Sequence, residues 1–116
     1  MLINLSNHPF DKWTPTQQEA ARAQYSTVVD MPFPQIDPKA STDELRMLVD
    51  RFVADINRMP PATVHVMGEL CFVYQFVAAC EAIGILCVAS TTHRIVEEVD
   101  GKKVVQFQFI QFRPYF

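Results

Sequence analysis

The clearest pattern in the chain lies between Ser41 and Ile56. Leu45, Leu48, Val49, Phe52, Val53 and Ile56 recur at the three- and four-residue spacing of one helical face. Ser41-Thr42-Asp43-Glu44 in front of them reads as a capping box, and Pro60-Pro61 behind them stops the helix. A second helix start is Thr14-Pro15-Thr16-Gln17, with Thr14 as cap, Pro15 at the first helical position and Gln17 completing a capping box; that helix runs to about Gln24. A third follows Gly68-Glu69 and continues to about Ile83, where Gly84 supplies the stop.

Short apolar runs alternate with these helices. Residues 1–5, Ser26 to Val29, Thr63 to Met67 and Ile85 to Ala89 read as four strands, the second closed by Met31-Pro32-Phe33-Pro34. The order βαβαβαβ predicts a parallel sheet with helices on its faces. The tail departs from it. Asp100-Gly101 lies between two β-like runs, Arg94–Val99 and Lys102–Phe112, and marks a two-residue hairpin. Ser90 to His93 is either a loop or a continuation of the fourth strand into that hairpin. The expected fold is a small Rossmann-like α/β three-layer sandwich, mostly parallel with a C-terminal antiparallel β-hairpin, forming one domain over residues 1–116.

In the helix after Glu69, Leu70, Val73, Val77 and Cys80 are expected to face the sheet. Phe72 and Phe76 then fall on a second face, as a surface for a homodimer or a seat for the hairpin.

Composition narrows the class. With 116 residues, 49% hydrophobic and 20% charged, the chain is an ordinary globular mixture. Cys71, Cys80 and Cys87 all stand among apolar neighbours, and an odd number of buried thiols argues against a disulfide framework. The N-terminus is too short and uncharged for a signal peptide, and no apolar run reaches the roughly 20 residues of a membrane span. A cytoplasmic, reduced protein is expected. The net charge of −3 gives no broad basic surface for non-specific nucleic-acid binding, while a small anion held by local groups remains open.

Ligands of open parallel sheets bind beyond the carboxyl ends of the strands. Three such ends are polar here: Ser6-Asn7-His8-Pro9, Gly68-Glu69 and Ser90-Thr91-Thr92. His8 has a side chain suited to proton transfer near neutrality, or it serves its own loop. Gly68-Glu69 opens a helix, where free amides favour an anion; Glu69 either complements the helix dipole or accepts from a ribose hydroxyl. Arg94 and Arg113 can each hold a phosphate or remain solvated, and Arg94 stands closer to the hydroxyl cluster. His65, between Val64 and Val66, reads as a satisfied core histidine, and His93 points away from the hydroxyls if the strand continues. There is no Gly-rich phosphate loop, no dinucleotide fingerprint and no zinc-type Cys/His spacing, so neither a cofactor nor a metal is expected. The cysteines read as structural.

Ser6-Asn7-His8, Met67-Gly68-Glu69 and Ser90-Thr91-Thr92-His93-Arg94, in this element order, resemble the small CRISPR-associated proteins with a CARF-like Rossmann fold. The resemblance implies a homodimer that binds a cyclic oligoadenylate second messenger. It also implies a metal-independent ring nuclease that cleaves the messenger by attack of a ribose 2′-hydroxyl and so switches off type III CRISPR signalling. Carried onto this chain, His8, Arg94 and Ser90 would be catalytic. Ser6, Asn7, Gly68, Glu69, Thr91 and Thr92 would bind the ligand. Two departures stand against the resemblance: the chain is acidic, and no lysine is expected at the strand ends. The alternatives are a module that binds or sequesters a nucleotide without cleaving it, and a homodimeric interaction protein.

Overall fold

The computed structural model describes residues 1–116. Five strands, β1 (Leu2–Ser6), β2 (Val28–Pro32), β3 (Thr63–Val66), β4 (Cys87–Val99) and β5 (Lys102–Pro114), form one sheet in the order β2-β1-β3-β4-β5. The first four are parallel and β5 runs antiparallel to β4, so the protein is α/β with a mixed sheet. Helices α1 (Pro15–Tyr25), α2 (Thr42–Asn57) and α3 (Leu70–Ala82) connect the parallel strands. No helix is long and apolar enough to cross a membrane.

Alternation along the strands divides the core in two. Ile3, Leu5, Val64, Val66 and Cys87 face α2 and α3 in one cluster, with Leu45, Val49, Ile56, Phe72 and Phe76. Leu2, Val88, Phe109 and Phe112 face α1 in the other, with Trp13 and Ala21. Both predicted caps form: Thr14 Oγ1 accepts from the Gln17 amide and Ser41 Oγ from the Glu44 amide, at 3.4 and 3.1 Å, but the Gln17 side chain does not close a box with Thr14 and reaches Ser90 Oγ instead. Asp100 and Gly101 both take positive φ, 52° and 77°, which is what a tight two-residue hairpin demands.

Several expectations are corrected. The second strand was expected over Ser26–Val29, but β2 runs on to Pro32. It is the edge strand, where a proline's missing N–H breaks no ladder. Of the two alternatives for Ser90 to His93, the structure takes the continuation: β4 runs through these residues into the hairpin, because β5 pairs with it along its whole length. Thr91 opposes Gln111 and Thr92 opposes Phe109, so Ile110 is an unpaired bulge residue. The bulge puts Phe109 and Phe112, three residues apart, on the same face.

The expectation for α3 holds for Val73 and Cys80, which are buried, and for Val77, which packs against the same core; it fails for Leu70 and for the second face. Phe72 and Phe76 are fully buried, whereas Leu70 is 82% and Tyr74 78% exposed. The hairpin does not cover the phenylalanines. Phe72 is enclosed by Phe33, Phe52 and Phe76, with ring centroids 5.0, 5.6 and 5.8 Å away. Cys71 is also exposed rather than buried.

Candidate functional site

A cavity of about 430 Å³ opens at the carboxyl ends of β1, β3 and β4. The strand order reverses between β1 and β3, and such a switch point is where open α/β sheets hold ligands. Ser6, Asn7 and His8 line it from β1, Gly68 from β3, and Ser90 and Thr92 from β4, so two-thirds of the sequence-derived set converge.

The rest do not. Thr91 points to the opposite face and donates to the Gln111 carbonyl at 3.3 Å. Arg94 lies further out on the hairpin, opposite Phe107, and is exposed; it shares the cavity face of β4 but does not line the cavity. Glu69 also lies outside. Its carboxylate accepts from the Phe72 and Cys71 amides, at 2.7 and 3.0 Å, and these bonds hold it below the usual carboxylate range. The helix start expected to welcome an anion is thus capped by its own side chain. The same carboxylate pushes the exposed Cys71 thiol up, against thiolate formation. His93 and Arg113 are exposed strand residues opposite Gln108 and Ala89.

Gly68 has a packing reason of its own. A Cβ there would collide with the ring of Phe33, which packs on Phe72 in the core.

His8 is exposed, and its main chain does structural work. Its carbonyl accepts from Asn4 Nδ2 at 2.8 Å, Trp13 Nε1 at 2.9 Å and Ser6 Oγ at 3.2 Å. These bonds hold the loop after β1 against the 3-10 turn Phe10–Lys12. That turn brings Lys12 to the cavity, correcting the expectation of no lysine there.

His65 reads from the sequence as a core histidine, and its place in the structure adds more. It is 2% exposed, as a core histidine should be, yet it forms part of the cavity floor. Its ring lies edge-on between Trp13 and Phe112, with centroids 5.2 and 5.6 Å away. Burial pushes its pKa down to about 4, so the imidazole is neutral at pH 7. Nδ1 is 2.9 Å from Asn4 Oδ1 and Nε2 is 2.5 Å from Ser90 Oγ.

These contacts belong to a polar row across the α1 side of an otherwise apolar sheet. Asn4 opposes Asp30 on one neighbouring strand and His65 on the other. Asn4 Nδ2 donates to Asp30 Oδ1 at 2.9 Å, and Gln17 Nε2 reaches from α1 to Ser90 Oγ at 3.2 Å. The sequence signal was an Asn, a His and a Ser at inward positions of three strands that prove to be neighbours.

No curated protein matches the sequence. With a parallel sheet, a C-terminal hairpin and a polar crevice at the switch point described, residues 1–113 match the model of the Uncharacterized protein MJ1673 family, and the chain belongs to that family.

Proposed function

We propose that the cavity binds a cyclic oligoadenylate and cleaves it without a metal, by attack of a ribose 2′-hydroxyl on the adjacent phosphorus. The observation that carries this reading is the Ser90 hydroxyl, bonded to a neutral imidazole at the cavity floor, with the Lys12 ammonium at the same cavity. Such a cleavage needs an aligned attacker, an acceptor for its proton and a counter-charge for the phosphate. The hydroxyl, imidazole and ammonium supply the last two. Trp13, Phe107 and Phe109 add aromatic surface for a base. The choice of ligand follows the resemblance of Ser6-Asn7-His8, Gly68 and Ser90-Thr91-Thr92 to CARF-like proteins, whose Rossmann-like fold the sheet order fits. On this reading, His8 and Thr92 bind at the rim, and Arg94 reaches only a ligand that extends along the hairpin.

The homodimer belongs to the same proposal. One cavity offers a single lysine to a polyanion, and a two-fold pair doubles it. The hairpin has surface for a second copy: Val96, Val105, Phe107 and Ile110 are exposed, and β5 is a 13-residue edge strand. Cyclic tetra-adenylate incubated with excess protein in EDTA is expected to yield linear products ending in a 2′,3′-cyclic phosphate. Saturable binding with no product would move the reading to sequestration, and neither binding nor product would end it. A protein that cleaves as a monomer would remove the pair and spare the cavity.

A further inference from the structure

The hydrogen bonds around His65 fix where each proton sits. The Asp30 carboxylate only accepts, and so does the His8 carbonyl; both face Asn4 Nδ2. This settles the orientation of the Asn4 amide and turns its Oδ1 toward His65. Oδ1 only accepts, so the His65 proton resides on Nδ1. Nε2 is then a bare lone pair, and the bond to Ser90 must run from the hydroxyl to the ring. Gln17 Nε2 donates to the same Ser90 oxygen. The sequence of roles is that of hydrolytic triads: hydroxyl, imidazole, orienting amide.

We propose that Ser90 is the catalytic hydroxyl of this cavity, that His65 takes its proton, and that Asn4 and Asp30 are the positioning residues that hold His65 in the required tautomer. What the pair acts on rests on the cleavage reading above; the reactivity of the pair does not. In that cleavage, a bond forms between the ribose 2′-oxygen and phosphorus, and the bond from phosphorus to the 5′-oxygen breaks. The 2′-hydroxyl proton passes to Ser90 Oγ as the Ser90 proton passes to His65 Nε2. The departing 5′-oxygen takes a proton from water at the open mouth, and the hydroxide left behind takes the proton back from His65 through Ser90, which returns the pair to its starting state. The titratable groups near His65 are Asp30 beyond Asn4, and Lys12 and His8 at the cavity wall; α1, β4 and β5 turn Gln17, Ser90 and Phe112 toward it.

The test needs no nucleotide. Diisopropyl fluorophosphate presents a phosphorus with a good leaving group: the Oγ–P bond forms, the P–F bond breaks, fluoride departs, and the proton goes through His65 to solvent. Peptide mass spectrometry is expected to find the adduct on Ser90, formed at least about 100-fold more slowly in His65→Gln. The wild-type rate should be flat from pH 6 to 8, because the imidazole is already neutral there; an unassisted hydroxyl reaction would rise about tenfold per pH unit. The wild-type profile decides the matter even if the variant fails to fold. No adduct at Ser90, an equal rate in folded His65→Gln, or a tenfold climb per pH unit would overturn the proposal. A His65-dependent adduct in a protein that leaves cyclic tetra-adenylate intact would uphold the pair and sink the cleavage reading.

Discussion

Replacing Phe72 by alanine is expected to destabilise the fold by about 3–5 kcal/mol, the range for deleting a fully buried phenylalanine. Phe72 is 0% exposed, and Phe33, Phe52 and Phe76 surround it. Those rings come from the segment after β2, from α2 and from α3 itself, so the void cannot close by one local shift. Losing such a ring also leaves Phe33 without its edge-to-face partner, and Phe33 is the ring that limits Gly68 at the cavity wall. Urea unfolding should show a lower midpoint with an unchanged slope. Leu70→Ala, two residues earlier and 82% exposed, should move stability by no more than about 0.5 kcal/mol. If Phe72 instead belonged to a surface for a partner, the pair of results would reverse in the isolated chain.

The second large effect is on pH. The folded-state pKa of His65 is lowered to about 4, against an ordinary value of 6.5, because burial penalises the imidazolium. Between those values the unfolded chain binds a proton that the folded chain refuses. The stability tied to neutral His65 is therefore complete above pH 6.5 and is lost as the pH falls toward 4. The full loss is about 3 kcal/mol, of which about 2 kcal/mol is reached by pH 5. Urea titrations at pH 7.5 and 5 measure it, and His65→Gln should lack this component of the slope. Should that variant not fold, an NMR titration of the wild-type ring gives the same answer: His65 should stay neutral down to about pH 4. A midpoint near 6.5 would contradict the burial on which both the stability effect and the neutral acceptor depend.

What could be read in the sequence was whatever local chemistry decides. Thr14-Pro15, Ser41–Glu44 and Asp100-Gly101 each carry their own instructions, since cap and turn geometry depends on neighbouring residues. The amphipathic stripe of α2 is equally local. On α3 the sequence misplaces Leu70, Phe72 and Phe76, because the helix is apolar nearly all round and periodicity then names no face. Only the position of Phe33 and Phe52 chooses one. The run of β4 through Ser90 to His93 depended on β5, whose bulge at Ile110 leaves no mark in the alternation.

The candidate site divides in the same way. The three polar strand ends follow from the fold rule, and six of the residues they named line one cavity. Glu69 was ambiguous because a capping carboxylate and a ligand-binding one look alike in sequence. His65 read as an ordinary core histidine because its partners lie 61 and 25 positions away, on different strands. Lys12 comes from a single 3-10 turn that the apolar pattern does not announce.

The most direct measurement is a titration of isotope-labelled protein with cyclic tetra-adenylate, followed by NMR at the backbone amides and at the His65 ring. The expected result is saturable shifts at Ser6 to Lys12, Gly68, Ser90 to Thr92 and Phe107 to Phe109, with a change at His65 Nε2 as the ligand meets Ser90. Shifts confined to the opposite side of the sheet, around α2 and α3, or no shift at millimolar ligand, would contradict a nucleotide site at the ends of β1, β3 and β4.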